Sequence, residues 1–156
     1  YHTMPWALQE DDYILVGFQL DEAVYAPLYY GYGRPWDAVD APLLVRHYEL
    51  HIMKHMPHLV QVLVKASPEV IASRMKENPH KHGLLQERDI EHVIERFDEE
   101  AKKSLIRRKI TLDTSTASVE ETLADLVKTM EGGWPGYPLH DIRRVVANRQ
   151  RTGPGR

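Results

Sequence analysis

Residues 59–75 read LVQVLVKASPEVIASRM, and this stretch decides the fold class. LVQVLVKA (59–66) is almost wholly apolar and too short for a helix, which is the pattern of a strand covered on both faces in a parallel sheet. Ser67 follows as a good N-cap, Pro68 suits the first helical position, and Glu69 complements the helix dipole. A buried strand feeding directly into a capped helix is half of a βαβ unit.

Working toward the C-terminus, NPHKHG (78–83) breaks this helix. Ile90, Val93, Ile94, Phe97, Ala101 and Leu105 then form one apolar stripe at helical spacing, with Glu91, Glu95, Glu99, Lys102 and Lys103 mostly off it. RKITLD (108–113) reads as a strand, TSTA as a turn, and SVEETLADLVKTM as a helix opened by a Ser118–Glu121 capping box. Val119, Leu123, Leu126 and Met130 line that helix's expected buried face. Working toward the N-terminus, Val39, Leu43, Leu44, Tyr48, Ile52 and Met56 are helically spaced, with Pro42 in the first turns and Pro57 closing the helix. GYGRPWD (31–37) is a loop, and DEAVYAPLYY a short helix opened by Asp21 or Glu22. DYILVGF (12–18) reads as a further strand and residues 1–11 as an irregular lead-in. The expectation is an α/β domain over 1–131, with a parallel sheet of about three strands (12–18, 59–65, 109–113) and crossover helices.

The 156 residues suit one domain, and 42% hydrophobic with 28% charged residues excludes a disordered or collagen-like chain. The net charge of −3 gives no sign of a nucleic-acid partner, and no apolar run is long enough to span a membrane. The absence of cysteine removes disulfides, thiolate metal sites and a thiol nucleophile, and fits a reducing, cytoplasmic setting. Residues 132–156 carry five arginines against Asp141, a net of +4 that leaves −7 for the rest. This basic tail reads as a solvated extension or as a contact for phosphate or a partner.

The ordered set VLVKASPEVIASRM (62–75), ERDIEHVIERFDEE (87–100) and ITLDTSTASVEETLADLV (110–127) resembles the C-terminal half of P-loop nucleotide kinases, thymidylate kinase-like enzymes most closely. YILVGFQLDEAVYAPLYYGYG (13–33) stands where that family has its third strand and a following helix. The resemblance implies an incomplete P-loop kinase fold and ATP- and Mg²⁺-dependent phosphoryl transfer to a nucleoside monophosphate or similar small acceptor. It implies a lid-like insertion over 76–88, with Lys76 and Lys81 as lid phosphate ligands. Arg74 and Arg88, flanking the lid, become the candidate catalytic cations, because phosphoryl transfer spreads negative charge that guanidinium groups stabilise. Arg74 has an alternative role as an ion-pair partner of Glu77 or Glu91. Asp113, Thr114 and Ser115 form the adenine-side loop of the resemblance, or an ordinary strand-to-helix turn. Glu22 and Tyr25 fall on the acceptor side, where Tyr25, Tyr29 and Tyr30 either stack on a base or pack inward.

Two departures qualify the resemblance. Gly17 and Phe18 stand where the family's third strand ends in Asp-Arg, and G-x-x-x-x-G-K-[ST] occurs nowhere in the chain. Without that loop little holds the donor's β- and γ-phosphates, so the expectation is an N-terminally truncated kinase-like chain with little or no activity. A non-catalytic, kinase-derived interaction module is the alternative, and an exposed sheet edge then favours a homo-oligomer. His47, His51 and His55, at i, i+4 and i+8, offer a weaker metal-site reading without an HExxH motif.

Overall fold

A computed structural model describes residues 14–56, 58–79 and 83–133. In chain order the elements are α1 (Gln19–Tyr25), a π-helical turn (Ala26–Tyr30), α2 (Ala41–His55), β1 (Val60–Lys65), α3 (Pro68–Glu77), a 3₁₀ turn (Glu87–Asp89), α4 (Ile90–Lys103), β2 (Arg108–Asp113) and α5 (Val119–Gly133). The architecture is α/β. β1 and β2 pair in parallel from Val60 opposite Arg108 to Lys65 opposite Asp113, and the crossover between them carries α3 and α4.

The helix starts follow from their caps. The Ser67 hydroxyl accepts from the Val70 amide at 3.4 Å, with Pro68 at the first helical position. Asp40 caps α2 by accepting from Leu43 at 2.8 Å, so Val39, the first of the helically spaced residues, falls just before the helix. The capping box of α5 closes reciprocally. Glu121 N–H donates to the Ser118 hydroxyl at 3.1 Å, and Ser118 N–H donates to the Glu121 carboxylate at 2.7 Å. Pro57, read as the stop of α2, lies outside the described residues, as do Lys81 and the tail from 134 onward.

The alternation of β1 and β2 sets the layers. Ile110 and Leu112 face α5 and form a core with Met130, Leu126 and Val60. Lys65 and Lys109, on the opposite face, reach α4: Lys65 pairs with Asp98 at 2.5 Å, and Lys109 donates to the carbonyls of Ala101 and Ser104, each at 2.7 Å. Lys109 therefore closes the C-terminal end of α4, where a cation is favoured. α5 covers β2 more fully than β1. Val62 and Val64 share the α5-facing side yet remain 39% and 61% exposed.

The expected strand at 12–18 is a correction. Residues 14–18 form no strand, and Ile14 and Val16 are 76% and 90% exposed. Gly17 takes φ +64°, which turns the chain into α1, and no β1 or β2 edge lies against this segment to supply ladder bonds. Among the described residues the sheet has two strands, not three. α1 also begins at Gln19, ahead of the expected opening at Asp21 or Glu22.

The helical side is held by an ion cluster. Glu49 of α2 and Glu100 of α4 are 1% and 0% exposed. Arg46 bonds both carboxylates, Glu49 at 2.9 Å and Glu100 at 2.8 Å. Arg96 and Lys103 add contacts to Glu100 at 3.4 and 3.3 Å, and Leu105 N–H donates to Glu49 at 2.7 Å. Every buried charge therefore has a partner, which is the condition for tolerating it.

Candidate functional site

Two polar regions carry the residues singled out by the sequence. The first lies at the carboxyl ends of the parallel strands, where open α/β sheets place their ligands. Thr114 follows β2 and ties it to β1: its N–H and its hydroxyl both donate to the Lys65 carbonyl, at 2.7 and 2.9 Å. Arg74, on the last turn of α3, donates through one nitrogen to the Thr114 hydroxyl at 3.0 Å and through another to the Thr114 carbonyl at 2.8 Å. Ser115 closes the group, accepting from the Ser67 amide at 2.8 Å and donating to Asp113 at 2.5 Å. The Asp113 carboxyl lies below its ordinary range because the Ser115 hydroxyl and amide both donate to it, with Lys65 adding a smaller favourable charge.

Arg74 and the loop 113–115 are thus one network. The contact is to a threonine of the turn, not to Glu77 or Glu91. A guanidinium has five N–H donors, so donors remain on Arg74 after its two bonds to Thr114.

The lid cations stand apart from this network. Lys76 pairs with Glu87 at 3.2 Å across the ends of the 76–88 segment, and Arg88 lies 3.7 Å from Asp89. Both pairs are exposed, and such pairs contribute little to stability. Arg88 and Asp89 also neighbour Tyr29, whose hydroxyl is pushed up by burial and then by the charge of Asp89 and a hydrogen bond to it.

The second region is a cavity of about 250 Å³ between α1 and α2. Its walls include Asp21, Glu22, Tyr25, Tyr30 and Tyr48, with Phe18 at the start of α1. Tyr25 is held from behind by Phe97 of α4, edge to face at 5.5 Å, and by Tyr29 at 5.8 Å. Glu22 accepts from the Tyr32 hydroxyl at 2.8 Å. Asp21 has no hydrogen-bond or ion-pair partner among the described residues, and burial pushes its carboxyl up. Gly17 makes room for it: a Cβ there would lie 2.8 Å from the Asp21 carboxylate. Glu22 and Tyr25, expected on an acceptor side, therefore do share one cavity, and α4 connects the two regions. Phe97 backs Tyr25 while the adjacent Asp98 pairs with Lys65.

Sequence reasoning overlooked Asp21 as a site residue and Arg46, Glu49 and Glu100 as a buried cluster. A signal existed for the cluster. Glu49 falls between Val45 and Ile52 on the apolar side of α2, and Glu100 adjoins Ala101 on the stripe of α4.

The described residues contain no group of three or more His, Asp or Glu side chains able to hold a metal ion. His51 and His55 stand ring to ring at 5.3 Å without a third such ligand. A Mg²⁺ that accompanies a nucleotide takes most of its ligands from phosphate oxygens and water rather than from such a group, and no step is derived through one. No helix is long and apolar enough to cross a membrane among these residues. Comparison with protein-family models, with curated proteins and with solved structures gives no match to this chain.

Proposed function

We propose that the chain is a nucleotide kinase-like domain whose parent activity is transfer of the γ-phosphoryl group of ATP to a nucleoside monophosphate or similar small acceptor. The observation that carries this reading is the Arg74–Thr114 pair of hydrogen bonds. It joins the candidate phosphate ligand to the turn expected to pass the donor's adenine, at the end of a parallel sheet where ligands bind. In this reading Arg74 binds phosphate oxygens through its remaining N–H donors, a charge-assisted contact that strengthens as negative charge spreads in the transition state. The Thr114 and Ser115 hydroxyls are already engaged, so the turn meets adenine through its backbone. Arg88, Lys76 and Lys81 supply the outer cations, and the cavity holding Glu22 and Tyr25 receives the acceptor. The chain has no P-loop motif, so the 156 residues alone bind nucleotide weakly and turn over little.

Thermal denaturation with ATP, ADP and nucleoside monophosphates tests this. Nucleotide raises the midpoint of the wild-type chain by mass action, and Arg74→Ala abolishes the rise. Absence of any rise with the wild-type chain overturns the reading, and rapid ADP formation overturns the expected inactivity.

A second reading, an interaction module that self-associates through its sheet edge, is favoured by a different observation. Among the described residues the two-stranded sheet has two open edges, and Val62 and Val64 of β1 remain exposed. Sedimentation of wild type against Val64→Lys tests it: a monomer at all concentrations sinks this alternative.

A further inference from the structure

The cavity between α1 and α2 has a chemistry of its own. Among the described residues that line it, the charged groups are Asp21 and Glu22, both acids, and none is basic. Its walls carry the rings of Phe18, Tyr25, Tyr30 and Tyr48. An aromatic face attracts a cation through its quadrupole, and the attraction grows as the cation is desolvated. A carboxylate in a partly closed space attracts the same cation more strongly than one in open water. A phosphate or carboxylate meets the opposite field and is repelled.

We propose that this cavity is a binding site for a small organic cation, a flat amidinium or guanidinium group or an ammonium on a small carbon skeleton. Asp21 is the recognising carboxylate. It is half-buried and has no partner among the described residues, whereas Glu22 is already held by Tyr32. A carboxylate kept from water without a partner loses hydration that a bound cation restores. Gly17 preserves the geometry, since any side chain there meets Asp21. Tyr25 and Tyr30 supply aromatic walls for the cation: Phe97 of α4 keeps Tyr25 from turning away, and Tyr32 stacks on Tyr30 at 6.5 Å. The inference rests on the cavity alone and stands apart from the phosphoryl-transfer reading. If both hold, the acceptor enters with a cationic or amine-bearing end inward and its phosphate outward.

The test is a titration of the full chain, followed by ¹H–¹⁵N and tyrosine-ring NMR, with three probes of one shape and different charge: benzamidinium, benzamide and benzoate. Benzamidinium binds saturably and shifts the Tyr25, Tyr30 and Tyr48 rings. Benzamide binds at least about tenfold more weakly, and benzoate more weakly still. Asp21→Asn lowers benzamidinium affinity by about tenfold or more and leaves benzamide unchanged. Glu120→Gln removes an equal charge on α5 and changes neither. Tyr30→Ala, at an exposed wall, weakens benzamidinium as well and serves if Asp21→Asn does not fold. Equal affinities for the three probes, full benzamidinium affinity in both cavity variants, or no saturable benzamidinium binding each overturns the proposal. Arg74→Ala keeps benzamidinium binding whatever it does to nucleotide, so failure here and failure of the kinase reading are separate results.

Discussion

Asp113 and Asp21 are two aspartates at the margins of secondary structure, and their surroundings move them in opposite directions. Asp113, just before the turn into α5, is solvent-exposed and gathers two donors from Ser115, which hold its carboxyl low. Asp21, in the first turn of α1, is half-buried with no partner among the described residues, and burial drives its carboxyl up. The strand-end region spends its polar groups on itself: Arg74, Thr114, Ser115 and Lys65 satisfy one another. The cavity region leaves the Asp21 carboxylate without a partner among the described residues. A satisfied network orders a turn, and an unsatisfied one is where an added ligand gains most. The contrast explains why Arg74, the residue that carries the kinase reading, offers only the donors its fold has left over.

The largest effect comes from the support beneath the cavity. Arg46→Met removes the cation that bridges the buried carboxylates, leaving Glu49 the Leu105 amide and Glu100 the longer contacts to Arg96 and Lys103, and is expected to cost about 3 kcal/mol in chemical denaturation. Because Val45 on the same turn lines the cavity, benzamidinium binding falls with it. A variant that keeps both stability and binding would break the link between cluster and cavity.

At the strand ends, Thr114→Val removes a hydroxyl that accepts from Arg74 and donates to Lys65. The expected loss is about 1–3 kcal/mol, with cation binding at the cavity unaltered. A matching loss of benzamidinium affinity would show that α4 couples the two regions.

Gly17→Ala acts on the other region. Alanine at φ +64° is strained, by about 1–2 kcal/mol, and its Cβ presses on Asp21. Cation affinity should fall more than stability. Equal stability and affinity to wild type would mean that Asp21 is free to move aside.

The smallest effect is in pH, and its sign separates the two aspartates. Asp113 is depressed in the fold, so its stabilising contribution is present above the ordinary carboxylate pKa, about 3.9, and is lost as pH falls through its lower folded value. Asp21 is raised, so its ionised form opposes folding at neutral pH, and that penalty is relieved as pH falls through its folded value, above about 3.9. Acidification therefore relieves Asp21 first and costs Asp113 later. In denaturation profiles Asp21→Asn flattens the upper part of this window and Asp113→Asn the lower part. Interchanged effects would reverse the comparison.

Much of the sheet half was legible because its signals are local. Strands read at 59–65 and 109–113 form at Val60–Lys65 and Arg108–Asp113. The Ser67 cap and the Ser118–Glu121 box form from side chains within three residues of their backbone partners. The failure at 12–18 is of another kind. An apolar run becomes a strand only where it lies against a sheet edge, and residues 14–18, turned at Gly17 with Ile14 and Val16 exposed, do not. At the site, Arg74 and the 113–115 loop were chosen separately, yet their sequence positions said nothing of their direct contact. Asp21 was passed over in favour of Glu22 because adjacent acids differ only in what surrounds them.

By itself, the order of apolar periods, caps and turn residues determined an α/β chain, two of the three strands expected of it and the starts of the helices capped by Ser67 and Ser118, because hydrogen bonds within a few residues decide those features. The tertiary structure alone decided that Glu49 and Glu100 are buried, that Val62 and Val64 are left uncovered, and that Asp21 stands in a cavity beside tyrosines with no partner among the described residues. Desolvation and partner geometry depend on residues tens of positions apart in the chain, as Arg46 and Glu100 are, and only packing brings those together.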